Sequence, residues 1–135
     1  MRPFRFLLRR DSVPADTHFR QWYIANGRRW LRQRVDLLHR RTGSAPSRVI
    51  VRDLGYRWGS CGRNGTLYFN WRVMQLPISV IDYVVVHELC HLVEPHHGPA
   101  FWNALERALP DWRDRKDSLD RRARDVYWCA REMTQ

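Results

Sequence analysis

The sequence predicts a single α+β domain in which a small antiparallel sheet packs on a buried helix and further helices complete the core. Three observations carry that prediction. One long segment has helical periodicity, a central stretch alternates like strands around an Asn-Gly turn, and a second helical segment is apolar on nearly every side. At 135 residues the chain is long enough for one core and too short for two comfortable ones. A hydrophobic fraction of 44% and seven Trp support order along the whole of residues 1–135.

The opening MRPFRFLLRR has an apolar patch too short for a signal peptide and lacks a small-residue cleavage site. No apolar run is long enough to span a membrane, so no membrane association is expected and the expected compartment is the cytoplasm. FRFLL, residues 4–8, can supply an edge strand. Residues 1–15 then lead into a long amphipathic helix. Asp16 or Thr17 is placed to cap it, Phe19, Tyr23, Trp30, Leu31, Val35 and Leu38 recur at three to four residues, and Gly43 is placed to end it. Asn26-Gly27 is its weak point, at about 1 kcal/mol for an interior glycine.

After SAPS the period changes to that of strands. RVIVRD alternates basic and apolar residues, and YRWGSCGRNGTLYFNWRV carries Asn64-Gly65, a strong hairpin signal, between two aromatic-rich runs. Pairing of sequential strands makes this an antiparallel sheet of about three strands. Pro77, with Ser79 and Asp82 spaced as in a helix start, opens the next helix. Its apolar residues point in all directions, which places it in the interior. Pro95 ends it. Two shorter helices are expected over residues 99 to about 109 and 112 to about 127, separated by Pro110-Asp111.

Three cysteines, Cys61, Cys90 and Cys129, are odd in number and far apart, which excludes a disulfide framework and a Cys-rich zinc knuckle. The formal charge is +10, and Lys116 is the sole lysine among the 24 basic residues. Such an arginine-rich surface can contact nucleic acid, although base composition of the genome and a solvated surface are the plainer account.

The chemistry concentrates in VVVHELCHLVEPHHGPAFW, residues 84–102, which holds four of the six histidines. On a helix His87 and His91 lie one turn apart on one face and can converge on an ion, while Glu88 stands beside it. That is the HExxH arrangement of zinc hydrolases. Without a metal, His, Glu and His on an otherwise apolar helix would bury three polar groups, at about 1–3 kcal/mol each if unpaired. A catalytic zinc takes three protein ligands and keeps one position open. The chain turns at Pro95, so His96 and His97 are both candidates for the third. Glu94, Asp111 and Cys90 are rivals, with Cys90 rotated off the shared face.

These residues resemble a known family. Arg57-Trp58-Gly59-Ser60-Cys61, Pro77 with Asp82-Tyr83-Val84-Val85-Val86, His87-Glu88-Leu89-Cys90-His91-Leu92, and His97 with Phe101-Trp102 are similar in order and spacing to the YgjP-like zinc metallopeptidases, relatives of the SprT-like and WLM proteases. The resemblance spans about residues 19–120. It implies a gluzincin-like catalytic domain of the zincin type and names His97 as the third ligand after His87 and His91. In the family pattern Asn precedes and Ser follows that histidine, where this chain has His96 and Gly98. Longer members carry a β-rich segment ahead of the long helix, so the resemblance also implies either a minimal protease domain or a partner protein in that segment's place.

The implied function is a zinc metalloendopeptidase acting on a peptide or protein, by a zinc-activated water with Glu88 as general base. The alternative is an SprT-like DNA- or RNA-associated module that binds or processes nucleic-acid-bound protein. The strand of RWGSC is expected near the active-site helix, offering its edge to an extended peptide. Against that, Trp58 and Cys61 can be core residues and Arg57 an ion-pair partner. Phe101 and Trp102 are expected to support the loop that carries His97.

Overall fold

Helix α1 (Val13–Leu38) starts upstream of both expected caps, with Pro14 in its first turn, where a missing N–H costs no hydrogen bond. A computed structural model describes residues 13–126, so the candidate strand at residues 4–8 and Cys129 lie outside the described residues. The last helix, expected to about residue 127, instead gives way to turns after Arg122. Tyr23, Trp30, Leu31, Val35 and Leu38 of α1 are buried, as their spacing predicts. Asn26-Gly27 does not interrupt it. A Cβ at Gly27 would lie 3.1 Å from Met74 Cγ and 3.8 Å from Val51 Cγ1, so the glycine lets the helix settle closely on the sheet. The helix tightens into a 3-10 turn at His39–Arg41 and the chain reverses at Gly43, whose φ of +79° is left-handed.

Three strands follow, β1 (Arg48–Arg52), β2 (Gly59–Cys61) and β3 (Thr66–Asn70), in the order β1-β3-β2. The hairpin joins β2 and β3 antiparallel across Asn64-Gly65, with Gly65 at φ +80°. The wholly antiparallel sheet expected from sequential pairing is corrected at the other edge, where β1 runs parallel to β3. Two features explain it. Ser47 donates from N–H to the Gly65 carbonyl at 2.9 Å and from its hydroxyl to the Asn64 carbonyl at 2.9 Å, so β1 begins at the end where β3 begins. β3 is also the strand with both faces covered, and its central place satisfies its backbone on both sides.

The link from β1 to β2 passes over the end of β3 and is held by two buried side chains. Asn70 donates from Nδ2 to the carbonyls of Gly55 and Arg57 at 2.8 and 2.9 Å. Arg72, wholly buried, donates to Asp53 Oδ1 at 2.8 Å, and Arg20 lies 3.4 Å from the other carboxylate oxygen. Burial pushes the Asp53 carboxyl up, but hydrogen bonds from Arg72 and the Gly55 N–H, with the charges of Arg72 and Arg20, outweigh it and hold the group below its ordinary 3.8. Asp53→Asn is expected to destabilise the fold by about 3 kcal/mol, the low end for breaking a buried pair, because Asn70 still faces Arg72. A folded-state pKa below the unfolded one gives stability that is present above the unfolded value and lost as pH falls through the folded one. The gap in melting temperature between the two proteins should therefore close below about pH 4; a constant gap would argue against the pair.

After a 3-10 turn at Trp71–Gln75, helix α2 (Ile78–His91) runs through the centre of the molecule. Residues 80–86 are all buried. Asp82 does not cap this helix as its spacing suggested. It takes a two-pronged bond from Arg34, at 2.9 and 2.6 Å, which ties α2 to α1, and Pro77 occupies the cap position. Helices α3 (Pro99–Ala108) and α4 (Trp112–Arg122) both pack on α2, whose other neighbours are α1 and β2. Among the described residues no helix is long and apolar enough to cross a membrane.

Candidate active site

His87 and His91 project from the last turn and a half of α2 into a cleft of about 600 Å³ whose opposite wall is β2 and its turn. Pro95 follows the helix end, and the loop after it brings His97 over both. One nitrogen from each of His87, His91 and His97 lies within 4.8 Å of the others. His96 is exposed and outside that cluster. The rivals stand outside the cluster: Cys90 is buried at 1% exposure, Asp111 pairs with Arg115 at 2.9 Å, and Glu94 meets the His91 ring through its backbone carbonyl and not its carboxylate.

Phe101 explains how the three rings converge. It is wholly buried, and its ring lies 5.1, 4.4 and 4.9 Å from those of His87, His91 and His97. Trp102 stacks on His97 at 5.7 Å and donates from Nε1 to its carbonyl at 3.2 Å, so the loop is pinned by backbone and ring together. The support expected from Phe101 and Trp102 is thus present.

The donor set fits a metal cation. His91 Nδ1 faces the Glu94 carbonyl at 3.1 Å, an acceptor only, so its proton sits there and Nε2 carries the lone pair. That Nε2 lies 2.9 Å from Nε2 of His97. Two nitrogens bound tetrahedrally to zinc at 2.0–2.1 Å are about 3.3 Å apart, close to this separation. Burial pushes the His91 imidazole below 6.5, with the Glu94 carbonyl and Glu88 acting against it and His87 and His97 with it. The ring is therefore neutral near pH 7, as a ligand must be. Glu88 is 6% exposed, and its Oε2 lies 3.2 Å from His87 Nδ1 at the foot of the same cleft.

The profile of the YgjP-like metallopeptidase domain matches residues 7–122. The chain belongs to this family. The YgjP-like domain is also similar in fold to the crystal structure of the metallopeptidase zymogen of Pyrococcus abyssi abylysin, at a TM-score of 0.60 and 21% identity, over 65% of this chain and 90% of that one. No curated protein matches the chain significantly. A metallopeptidase of this family carries a metal ion, and His87, His91 and His97 are the residues of this YgjP-like domain that could bind it.

Gly59, in the strand expected near the active-site helix, faces the side chain of Glu88. A Cβ on Gly59 would lie 2.9 Å from Glu88 Cγ and 3.0 Å from Oε2. The carboxylate is the end of a flexible side chain and can yield, so Gly59→Ala is expected to fold with Glu88 displaced. Turnover should fall by about 10- to 100-fold with metal content unchanged. Removing the carboxylate with Glu88→Ala should make Gly59→Ala nearly neutral for stability, a coupling that thermal melts of the four variants would read out. Equal destabilisation in both backgrounds would show that the glycine serves the strand alone.

Tyr83 belongs to the run Asp82-Tyr83-Val84-Val85-Val86 that carries the family resemblance, which gave it no role of its own. It stands one turn before His87 on the same face, and its ring meets that of His87 edge-on at 5.8 Å. Its position four residues ahead of a ligand candidate was the available signal. Burial pushes its phenol up to about 12, with Asp120 and Glu88 adding to the rise, so it stays protonated. Cys61, half-buried in the cleft wall, is likewise pushed up by burial and by Glu88, which keeps the thiol neutral. Trp58 is partly buried against the core, and Arg57 is exposed.

Proposed function

We propose that the domain is a zinc-dependent endopeptidase with Glu88 as its general base and His87, His91 and His97 as the metal ligands. The observation that carries this reading is the convergence of three imidazole nitrogens within 4.8 Å beside a nearly buried carboxylate. Zinc is the cation this all-nitrogen set suits at neutral pH, and when bound it supplies Lewis-acid polarisation of a carbonyl and acidifies water. Glu88 takes the proton of the attacking water on its carboxylate and delivers it to the leaving amine. Its low exposure and its packing against Gly59 hold that carboxylate at one place in the cleft.

The edge of β2 supports binding of an extended peptide. Trp58 O accepts from Asn70 N–H and Gly62 N–H donates to Thr66 O, so the even-numbered residues turn their peptide groups toward β3. In an antiparallel ladder the intervening residues turn theirs outward. Gly59 and Cys61 therefore present N–H and C=O at the open edge, beside the cleft, where a substrate strand can pair with them. A peptide so placed runs past Glu88. The cytoplasm remains the compartment proposed for the domain, on the sequence grounds given above.

The test is hydrolysis of an unfolded protein by the purified, zinc-supplemented domain. Internal cleavage that a chelator abolishes and added zinc restores is the expected result. Cleavage that survives exhaustive chelation would count against the metal, and no cleavage at all against the peptidase reading.

A further inference from the structure

The main cleft does not end at Glu88. A second cavity of about 270 Å³ opens on the other side of it and shares Gly59, His87 and Glu88 with the first. Its walls are Trp58 from the approach to β2, Tyr83 and Val84 from α2, and Leu119 from α4. The volume falls just under the roughly 300–1,000 Å³ of small-molecule sites, which makes it room for one side chain and not for a whole ligand. At the rim Lys116 and Asp120 pair with each other at 3.1 Å, so neither charge there is left seeking a partner.

We infer that this cavity is a specificity pocket and that it takes a large apolar or aromatic side chain of the peptide substrate. The inference rests on the peptidase reading and adds its substrate class. Successive side chains of an extended peptide point to opposite sides. With the peptide on the edge of β2, one side chain next to the reacting bond is therefore directed to the cavity mouth beside Gly59. Trp58, Tyr83, Val84 and Leu119 give the cavity apolar walls, while its charged lining residues besides Glu88 are Arg57 and the Lys116–Asp120 pair. Arg57 at the mouth makes an acidic side chain the rival occupant.

Binding tests this without relying on turnover. The zinc-loaded Glu88→Gln protein is titrated with dye-labelled Gly/Ser peptides in which Phe, Leu, Ala or Asp is scanned through the central positions. Phe or Leu at one position should bind roughly 10- to 100-fold tighter than Ala or Asp there. Adding Leu119→Phe, which fills the pocket, should abolish that margin, and Tyr56→Ala at the exposed mouth gives a second variant should the first fail to fold. Equal affinities, tightest binding of Asp, a margin that survives a folded Leu119→Phe protein, or no binding by any peptide would overturn the pocket. Cleavage of unfolded protein by the unsubstituted domain, lost with Glu88→Gln, would in each case leave the peptidase reading standing, so the two failures are told apart.

Discussion

Glu88→Gln is expected to leave the bound metal in place and to lower peptide hydrolysis by about 10²–10⁴-fold, the usual contribution of a general base. The amide keeps the size of the carboxylate and so its packing against Gly59, but it cannot take up a proton. His87, which Glu88 touches at 3.2 Å, keeps its place in the cluster. Metal analysis beside progress curves on an unfolded protein is the measurement. Metal lost together with activity would make Glu88 a structural support of the site, and undiminished turnover would remove its role altogether.

His97→Ala is expected to weaken zinc binding by more than about 100-fold, since loss of the groups behind a ligand alone costs about 10–100-fold. His96→Ala should leave one zinc per chain. The two residues are neighbours in sequence, yet only the loop position of His97 is stacked on Trp102, held through its carbonyl and set against Phe101. Zinc at 100 times its dissociation constant should stabilise the unsubstituted domain and the His96 variant by about 2.7 kcal/mol and the His97 variant hardly at all. The opposite pattern would transfer the ligand to His96.

The +10 charge illustrates what composition alone conveys. Arg20 and Arg72 share Asp53, Arg34 holds Asp82, and Arg115 holds Asp111, so several arginines are occupied inside the domain or between its helices. A count of basic residues treats all of these as surface charge. The nucleic-acid alternative rests on that count and on the kinship with SprT-like proteins, whereas the peptidase reading rests on a cluster of side chains in one cleft.

Much of the site was legible because its core is local. A helix places residues four apart on one face whatever surrounds it, so His87 and His91 could be paired, Glu88 set beside them and Cys90 turned away from spacing alone. Proline and glycine act through their own dihedrals, which is why the breaks at Pro95 and Gly43 and the turn at Asn64-Gly65 could be placed. Asp82 shows the limit of local reading, because its spacing suits a cap but its partner is Arg34, 48 residues away.

Taken alone, the sequence determined the α+β class, the buried helix with its two histidines and carboxylate, and the need for a third donor from the following loop. The family resemblance singled out His97, and the tertiary structure turns that histidine inward; the structure alone decided that β1 runs parallel to β3, that Gly59 meets Glu88, and that a second cavity opens beside them. The physical reason is the range of the forces involved. Helical spacing and turn dihedrals are set within a few residues, whereas loop orientation, strand partners and empty space depend on how distant apolar side chains fill a common core.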